Sequence, residues 1–219
     1  IFVDYKTVIE NGTLIIKNGK VVSVGQNISI PRGVKVFNLN GKYIYPSFID
    51  MYTDYGIVKK KRNNQDGELS YFMSYMNPKT VSSKLGPYGW NEAIKAEYNV
   101  VENIKVDDKR SKQLRDIGFG SVVSHNMDGI IRGSGALLSL SDKEEQDIIL
   151  KQKSSAHYSF TKGTSTQNYP NSLMGSVALL KQSFYDADWY KSEFNSGQVN
   201  LTLQSINESK NLPQIIEVR

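Results

Sequence analysis

Pro46-Ser47-Phe48-Ile49-Asp50-Met51, running on into Tyr52-Thr53-Asp54-Tyr55-Gly56, is the stretch from which the rest of the chain is read. Phe48, Ile49 and Met51 make a short apolar run of the length and composition of a buried strand. The run ends in a polar, aromatic cluster closed by a glycine, so the spacing predicts a strand whose end carries hydrogen-bonding groups.

Upstream, Thr13-Leu14-Ile15-Ile16-Lys17 and Lys20-Val21-Val22-Ser23-Val24 flank Asn18-Gly19. Both turn residues tolerate positive φ, so this predicts a hairpin with a type I′ turn. Val34-Lys35-Val36-Phe37-Asn38-Leu39, Asn40-Gly41 and Lys42-Tyr43-Ile44-Tyr45 predict a second hairpin. Residues 1–45 are therefore expected to form a small β unit, and 46–219 a second part.

Downstream, residues 57–90 are polar, tyrosine-rich and weakly periodic, the mark of a functional loop or an insertion with structure of its own. Its tyrosines at 71, 75 and 88, with Tyr98 and Trp90, read either as an aromatic binding surface or, the preferred reading, as packing residues of that excursion. Regular α/β alternation is expected to begin at Asn91 to about Ile104. A helix capped by Asp107 or Asp108 then passes through Leu114 and Ile117 to a stop at Gly118, before a strand at Phe119–Ser124. Gly135–Leu140 and Gln146–Lys151 read as two more strands. Asn171 or Ser172 caps a long helix with Leu173, Met174, Val177, Leu180, Phe184 and Ala187 at helical spacing, ending near Asn195-Ser196-Gly197. A helix at Val199–Ser209 and a strand at Gln214–Val218 close the chain.

The composition is that of a globular protein: 219 residues, 39% hydrophobic and 22% charged. The net charge of +5 comes from 27 basic residues interleaved with 22 acidic ones. The single dense basic run, Lys59-Lys60-Lys61-Arg62, lies in a polar loop, so no nucleic-acid partner is expected. With no cysteine, disulfides, thiolate metal sites and cysteine nucleophiles are excluded. No apolar run approaches the ~18 residues of a membrane span, so no transmembrane segment is expected. The chain opens without Met in the strand-like Ile1-Phe2-Val3-Asp4-Tyr5, which fits removal of a signal peptide or of the start of the first strand.

The stretch Asn11–Gly25, then Gly41-Lys42-Tyr43-Ile44-Tyr45-Pro46, then Phe48-Ile49-Asp50 resembles the opening of an amidohydrolase-superfamily protein. In that family a small β domain leads into a metal-dependent barrel through Pro-Gly-Phe-Ile-Asp-x-His-x-His. Asn91–Glu97, Leu114–Val123 and Arg132-Gly133-Ser134-Gly135-Ala136 are similar to imidazolonepropionase-like members. The resemblance implies an α/β fold: a small β-sandwich-like N-terminal unit, one part of a composite domain, and the first part of a TIM-type (β/α) barrel. Such a barrel typically needs about 250 residues. An incomplete one implies partners, either the remainder of a parent polypeptide or other subunits. Tyr45-Pro46-Ser47-Phe48-Ile49-Asp50 and Asp54-Tyr55-Gly56 look like exported bacterial proteins, which implies a periplasmic or cell-envelope location.

The departures bear on chemistry. Ser47 stands where the family has glycine, and Tyr52 and Asp54 stand where it has its two histidines. Imidazoles on alternate residues of a strand end can grip one cation and polarise a water. A phenol of pKa about 10 and one carboxylate do not replace them. No metal ligand is assigned in this chain, and zinc is expected only if the remainder of the parent supplies ligands.

His125 ends a predicted strand, where barrel enzymes keep their chemistry, and with Asp128 it is the catalytic candidate; the competing reading is a hydrogen-bonded turn. Tyr52, Asp54, Tyr55 and Arg132 are the ligand-binding candidates, able to hold a small amide or peptide-like ligand by hydrogen bonding and stacking. Arg132-Gly133-Ser134-Gly135 reads either as an anion cradle or as a glycine-rich turn between strands. Asp50 and His157 read as structural. Two functions follow: the N-terminal part of a hydrolase acting on amide or cyclic amide C–N bonds, inactive alone, or a metal-free pseudoenzyme of the same fold that binds a ligand or joins an assembly.

Overall fold

The computed structural model describes residues 1–58, 79–193 and 197–218. The basic run at 59–62, Tyr71, Tyr75 and the expected helix stop at Asn195-Ser196 lie outside the described residues. The chain divides into two compact units, Ile1–Phe48 and Ile49–Arg219.

In the first unit β1 (Thr13–Lys17) and β2 (Lys20–Gly25) pair antiparallel. Asn18 and Gly19 take φ of 52° and 72°, the left-handed pair that a two-residue turn between Lys17 and Lys20 requires. The second expected hairpin is corrected. Its turn forms, with Lys42 N donating to Leu39 O at 2.9 Å, but its arms make no ladder. Phe2 N instead donates to Ile44 O at 2.9 Å, and the Phe2 ring stacks on Tyr45 at 4.3 Å. No residue before Phe48 is buried, so the sandwich-like expectation reduces here to one two-stranded ladder with extended flanks. Alternating strands bury their apolar side only against a second layer, and a lone hairpin is marginal.

The second unit is a mixed α/β structure around a five-stranded sheet. Its spatial order is β3 (Phe48–Thr53), β4 (Phe119–Ser124), β5 (Ile131–Ser139), β6 (Ile149–Ser159) and β7 (Gln214–Glu217). Pairs β4–β5 and β5–β6 are antiparallel, whereas β6–β7 is parallel. From β4 to β6 the chain thus runs as an antiparallel meander, a local departure from the expected alternation of strands with helices. The connections at 125–130 and 140–148 are too short for a crossover, which takes about a dozen residues or more. The connection 160–213, which holds two helices, is long enough and returns the chain in parallel. Both middle strands also exceed their sequence reading: β5 takes in Arg132 to Ser134, and β6 runs on through His157.

The helices follow their local signals. Asp107 caps α1 (Asp108–Asp116), its side chain accepting from Arg110 N at 2.9 Å, and Gly118 at φ 101° ends the turn after it. The long helix α2 spans Leu173–Glu193, and Asn200 caps α3 (Leu201–Ser209), accepting from Leu203 N at 3.1 Å. Residues 91–104 are irregular rather than helical, apart from a 3₁₀ turn at Val100–Glu102. They are stitched to β5 by parallel bridges Ile94↔Ile131 and Asn99↔Ser134.

One face of this sheet is apolar. Ala93, Ile130, Ile131, Ala156, Tyr158, Leu179 and Ile206 form one core cluster, and Tyr55, Val122, Leu138, Leu140 and Ile148 another. Strand alternation sends Arg132, Ser155, His157 and Ser159 to the opposite face.

Candidate functional site

The polar face carries the chemistry. Tyr52, near the end of β3, places its hydroxyl 2.5 Å from Glu217 Oε2 on β7, and Arg132 Nη1 donates to the same hydroxyl at 3.1 Å. Arg132 Nη1 also meets Glu217 Oε2 at 2.6 Å, and Arg132 Nε donates to Gly129 O at 3.1 Å. Arg132 is 3% exposed, so its charge is balanced inside the fold rather than by water. Burial, followed by the bond to Glu217, holds the Tyr52 phenol above its ordinary pKa, with Arg132 opposing. Tyr52, Arg132, Glu217, Ser159, Met127 and Phe160 line a cavity of about 230 Å³.

Behind this cluster two imidazoles stack. The rings of His125 and His157 lie 3.8 Å apart and 10° from parallel, and Tyr52 packs on His125 at 4.6 Å. Both histidines are buried. Burial pushes both pKa values down, that of His157 to about 3 with the neighbouring imidazole and Arg132 adding to the effect. Gly135 makes room for the stack, since a Cβ there would lie 2.7 Å from His157 Nε2. Gly133, at φ 81°, lets β5 approach the 91–104 segment, where a Cβ would meet Tyr98 O at 2.1 Å. The Arg132–Gly135 stretch is thus the interior of a strand with two steric demands rather than a turn between strands.

The sequence candidates are dispersed. Tyr52 and Arg132 share the cavity wall. Asp54 is buried and pairs with Arg110 Nη2 at 2.7 Å. Tyr55 is fully buried in the helix-side core rather than in the cavity wall. Asp128 accepts from Lys95 and from Thr164 N and Oγ1, at 2.7 and 2.5 Å for the last two. Burial raises the Asp128 pKa, but those donors outweigh it and hold the carboxyl below its ordinary value. Asp128 therefore fixes the 161–164 loop rather than pairing with His125. Asp50 Oδ1 accepts from Tyr52 N at 3.0 Å. Glu217, unseen in the sequence reading, left one signal: a carboxylate inside the short apolar strand Gln214–Val218.

A metal gripped from the end of β3 can be tested against these residues. His125 Nδ1 faces Asn126 O at 2.8 Å, and a carbonyl only accepts, so Nδ1 carries the proton and Nε2 the lone pair. That Nε2 is buried without a partner among the described residues, a donor that fits a cation. Tyr52 is protonated and tied to Arg132 and Glu217, while Asp54 is tied to Arg110. Among the described residues no three or more His, Cys, Asp or Glu side chains gather at a possible cation site. The β3 end does not fit the two-imidazole grip.

No protein-family model and no curated protein matches the chain. Among solved structures, an amidohydrolase from Thermotoga maritima MSB8 is similar, with a TM-score of 0.63 at 17% identity over 94% of this chain and 53% of that one. The chain thus spans about half the length of this neighbour. At that identity the likeness is one of fold: a mixed α/β sheet compatible with part of a barrel. No helix among the described residues is long and apolar enough to cross a membrane.

Proposed function

We propose, from an amidohydrolase-like fold at half length, that the chain is the front part of a larger protein in which the strand-end lip binds a small amide or peptide-like ligand instead of holding a metal pair. In this reading residues 46–219 are the opening part of a TIM-type barrel, residues 1–45 contribute to a composite β domain, and the whole is exported. One observation carries the proposal: the phenol at position 52 is bound into a buried Arg132–Glu217 pair beside a cavity. Arg132 supplies N–H donors, Glu217 and Tyr52 supply oxygens, and Met127 and Phe160 supply apolar walls. That is the donor set of an amide-sized ligand site.

A second reading keeps the hydrolase. It is favoured by the buried lone pair on His125 Nε2, which could meet a cation whose other ligands come from the remainder of the parent. Metal analysis of the intact parent, with binding and hydrolysis assays on a panel of amides and dipeptides, separates the two. Saturable amide binding without stoichiometric zinc or turnover supports the binding protein. Stoichiometric zinc with turnover overturns it.

A further inference from the structure

A second cavity, of about 320 Å³, lies on the helix side of the sheet between the 96–102 segment, β5 and α3. Its wall carries three carboxylates. Glu97 is paired with Lys84, and Glu208 with Lys153. Glu102 has no cationic partner among the described residues; its Oε1 accepts from Asn99 Nδ2 at 3.2 Å. One negative charge on this wall is therefore unbalanced.

Two further groups point to what would balance it. Asn99 Nδ2 is spent on Glu102, which fixes the amide orientation and leaves Oδ1 as an acceptor, buried and with no partner. Ser134 bridges directly to Asn99, and its cross-strand partner Ala156 belongs to the core, so its side chain faces the same cavity. Ser134 is 7% exposed, and its hydroxyl has no hydrogen-bond partner among the described residues. A buried acceptor left without a partner is costly in an otherwise satisfied fold, and the Ser134 hydroxyl offers a second, uncommitted oxygen beside it.

We infer that this cavity binds a primary ammonium group on a short alkyl chain, with Glu102, Asn99 Oδ1 and Ser134 Oγ accepting its hydrogen bonds. An ammonium has three donors, no acceptor and unit charge, which matches three acceptors and one unbalanced carboxylate. Leu201 and Leu212, also in the wall, would cover the alkyl chain. A neutral alcohol lacks the charge, and a quaternary ammonium lacks the donors.

Calorimetric titration of the chain with n-butylammonium chloride tests this, with N,N,N-trimethylbutylammonium, n-butanol and calcium chloride as controls. One saturable butylammonium site of millimolar Kd or tighter is expected, on the order of −4 kcal/mol or better, with no saturable binding of the controls. Glu102→Gln should weaken it at least about tenfold, and Ser134→Ala about fivefold, in line with charged and neutral hydrogen bonds. Ser134→Ala removes no protein–protein bond and should retain the wild-type circular dichroism. The comparison of the four probes on the unaltered chain needs no variant. No saturable site, equal binding of the trimethylated probe, calcium saturating in place of butylammonium, or affinity unchanged in folded Glu102→Gln would each overturn the assignment.

Discussion

Glu217→Gln removes the charge that balances the guanidinium of Arg132, a residue only 3% exposed, while keeping the side-chain shape. The remaining acceptors of Arg132 are Gly129 O and the Tyr52 hydroxyl, each at 3.1 Å. Removing one partner of a buried pair leaves the other charge uncompensated and costs about 3 kcal/mol. In a unit of this size that is a melting temperature lower by roughly 6 to 12 °C. Removing both charges, in Arg132→Met with Glu217→Gln, takes away the uncompensated ion, and the double variant should lose only about 1 kcal/mol. Arg132→Met alone should fall between, at about 2 kcal/mol, so the cycle gives a coupling energy of about 4 kcal/mol. The three α-helices among the described residues belong to the second unit, so urea unfolding followed by far-ultraviolet circular dichroism reports on that unit. A Glu217→Gln cost below about 1 kcal/mol, or additive single and double variants, would refute the claim that this pair is an isolated charge couple inside the fold.

Three further outcomes follow from the same face. The His157 pKa of about 3 lies below that of a free imidazole, so the unfolded chain takes up the proton first. Stability is then full above pH about 6.5 and falls as pH drops, by roughly 2 to 3 kcal/mol by pH 4.5. The lowered carboxylates such as Asp128 and Glu92 act only below that window, while the lowered His125 acts within it, so His157→Gln should reduce the slope there without abolishing it; an unchanged slope in urea titrations would count against a neutral buried imidazole at position 157. Gly135→Ala drives a Cβ to 2.7 Å from His157 Nε2 and 2.9 Å from Ser155 Oγ, and should cost about 1 to 3 kcal/mol as overpacking. The cost should shrink in Gly135→Ala with His157→Ala, and no relief in the pair of denaturation curves would contradict the stack. Tyr52→His with Asp54→His restores the alternate imidazoles beside the lone pair of His125; zinc affinity, read by competition with a chromophoric chelator, should rise at least about tenfold (~1.4 kcal/mol). No gain would sink the argument that position 52 is what withholds a metal grip.

The parts of this fold legible in the sequence are those set by neighbours a few residues apart. Asn18-Gly19 fixes its own backbone angles, and Asp107 and Asn200 satisfy amides three residues on, so the first hairpin and the starts of α1 and α3 follow from composition. What depends on distant partners was not legible. Val34–Tyr45 has the alternation of a hairpin but finds no second layer. Arg132-Gly133-Ser134-Gly135 reads as a turn because its glycines answer to Tyr98 O and to an imidazole on another strand. Tyr52 was found from its place at a strand end, but its partner Glu217 lies 165 residues away, beyond any local period. The burial of Tyr55 and the commitment of Asp128 to Lys95 depend in the same way on side chains the sequence does not place side by side.

Zinc titration of the unaltered chain, followed calorimetrically, addresses the β3 end most directly. With Tyr52 bound to Glu217 and Arg132, and Asp54 bound to Arg110, no stoichiometric site of micromolar affinity, about −8 kcal/mol, should be found. One equivalent of tightly held zinc, lost on His125→Ala, would show that this strand end seats a cation after all.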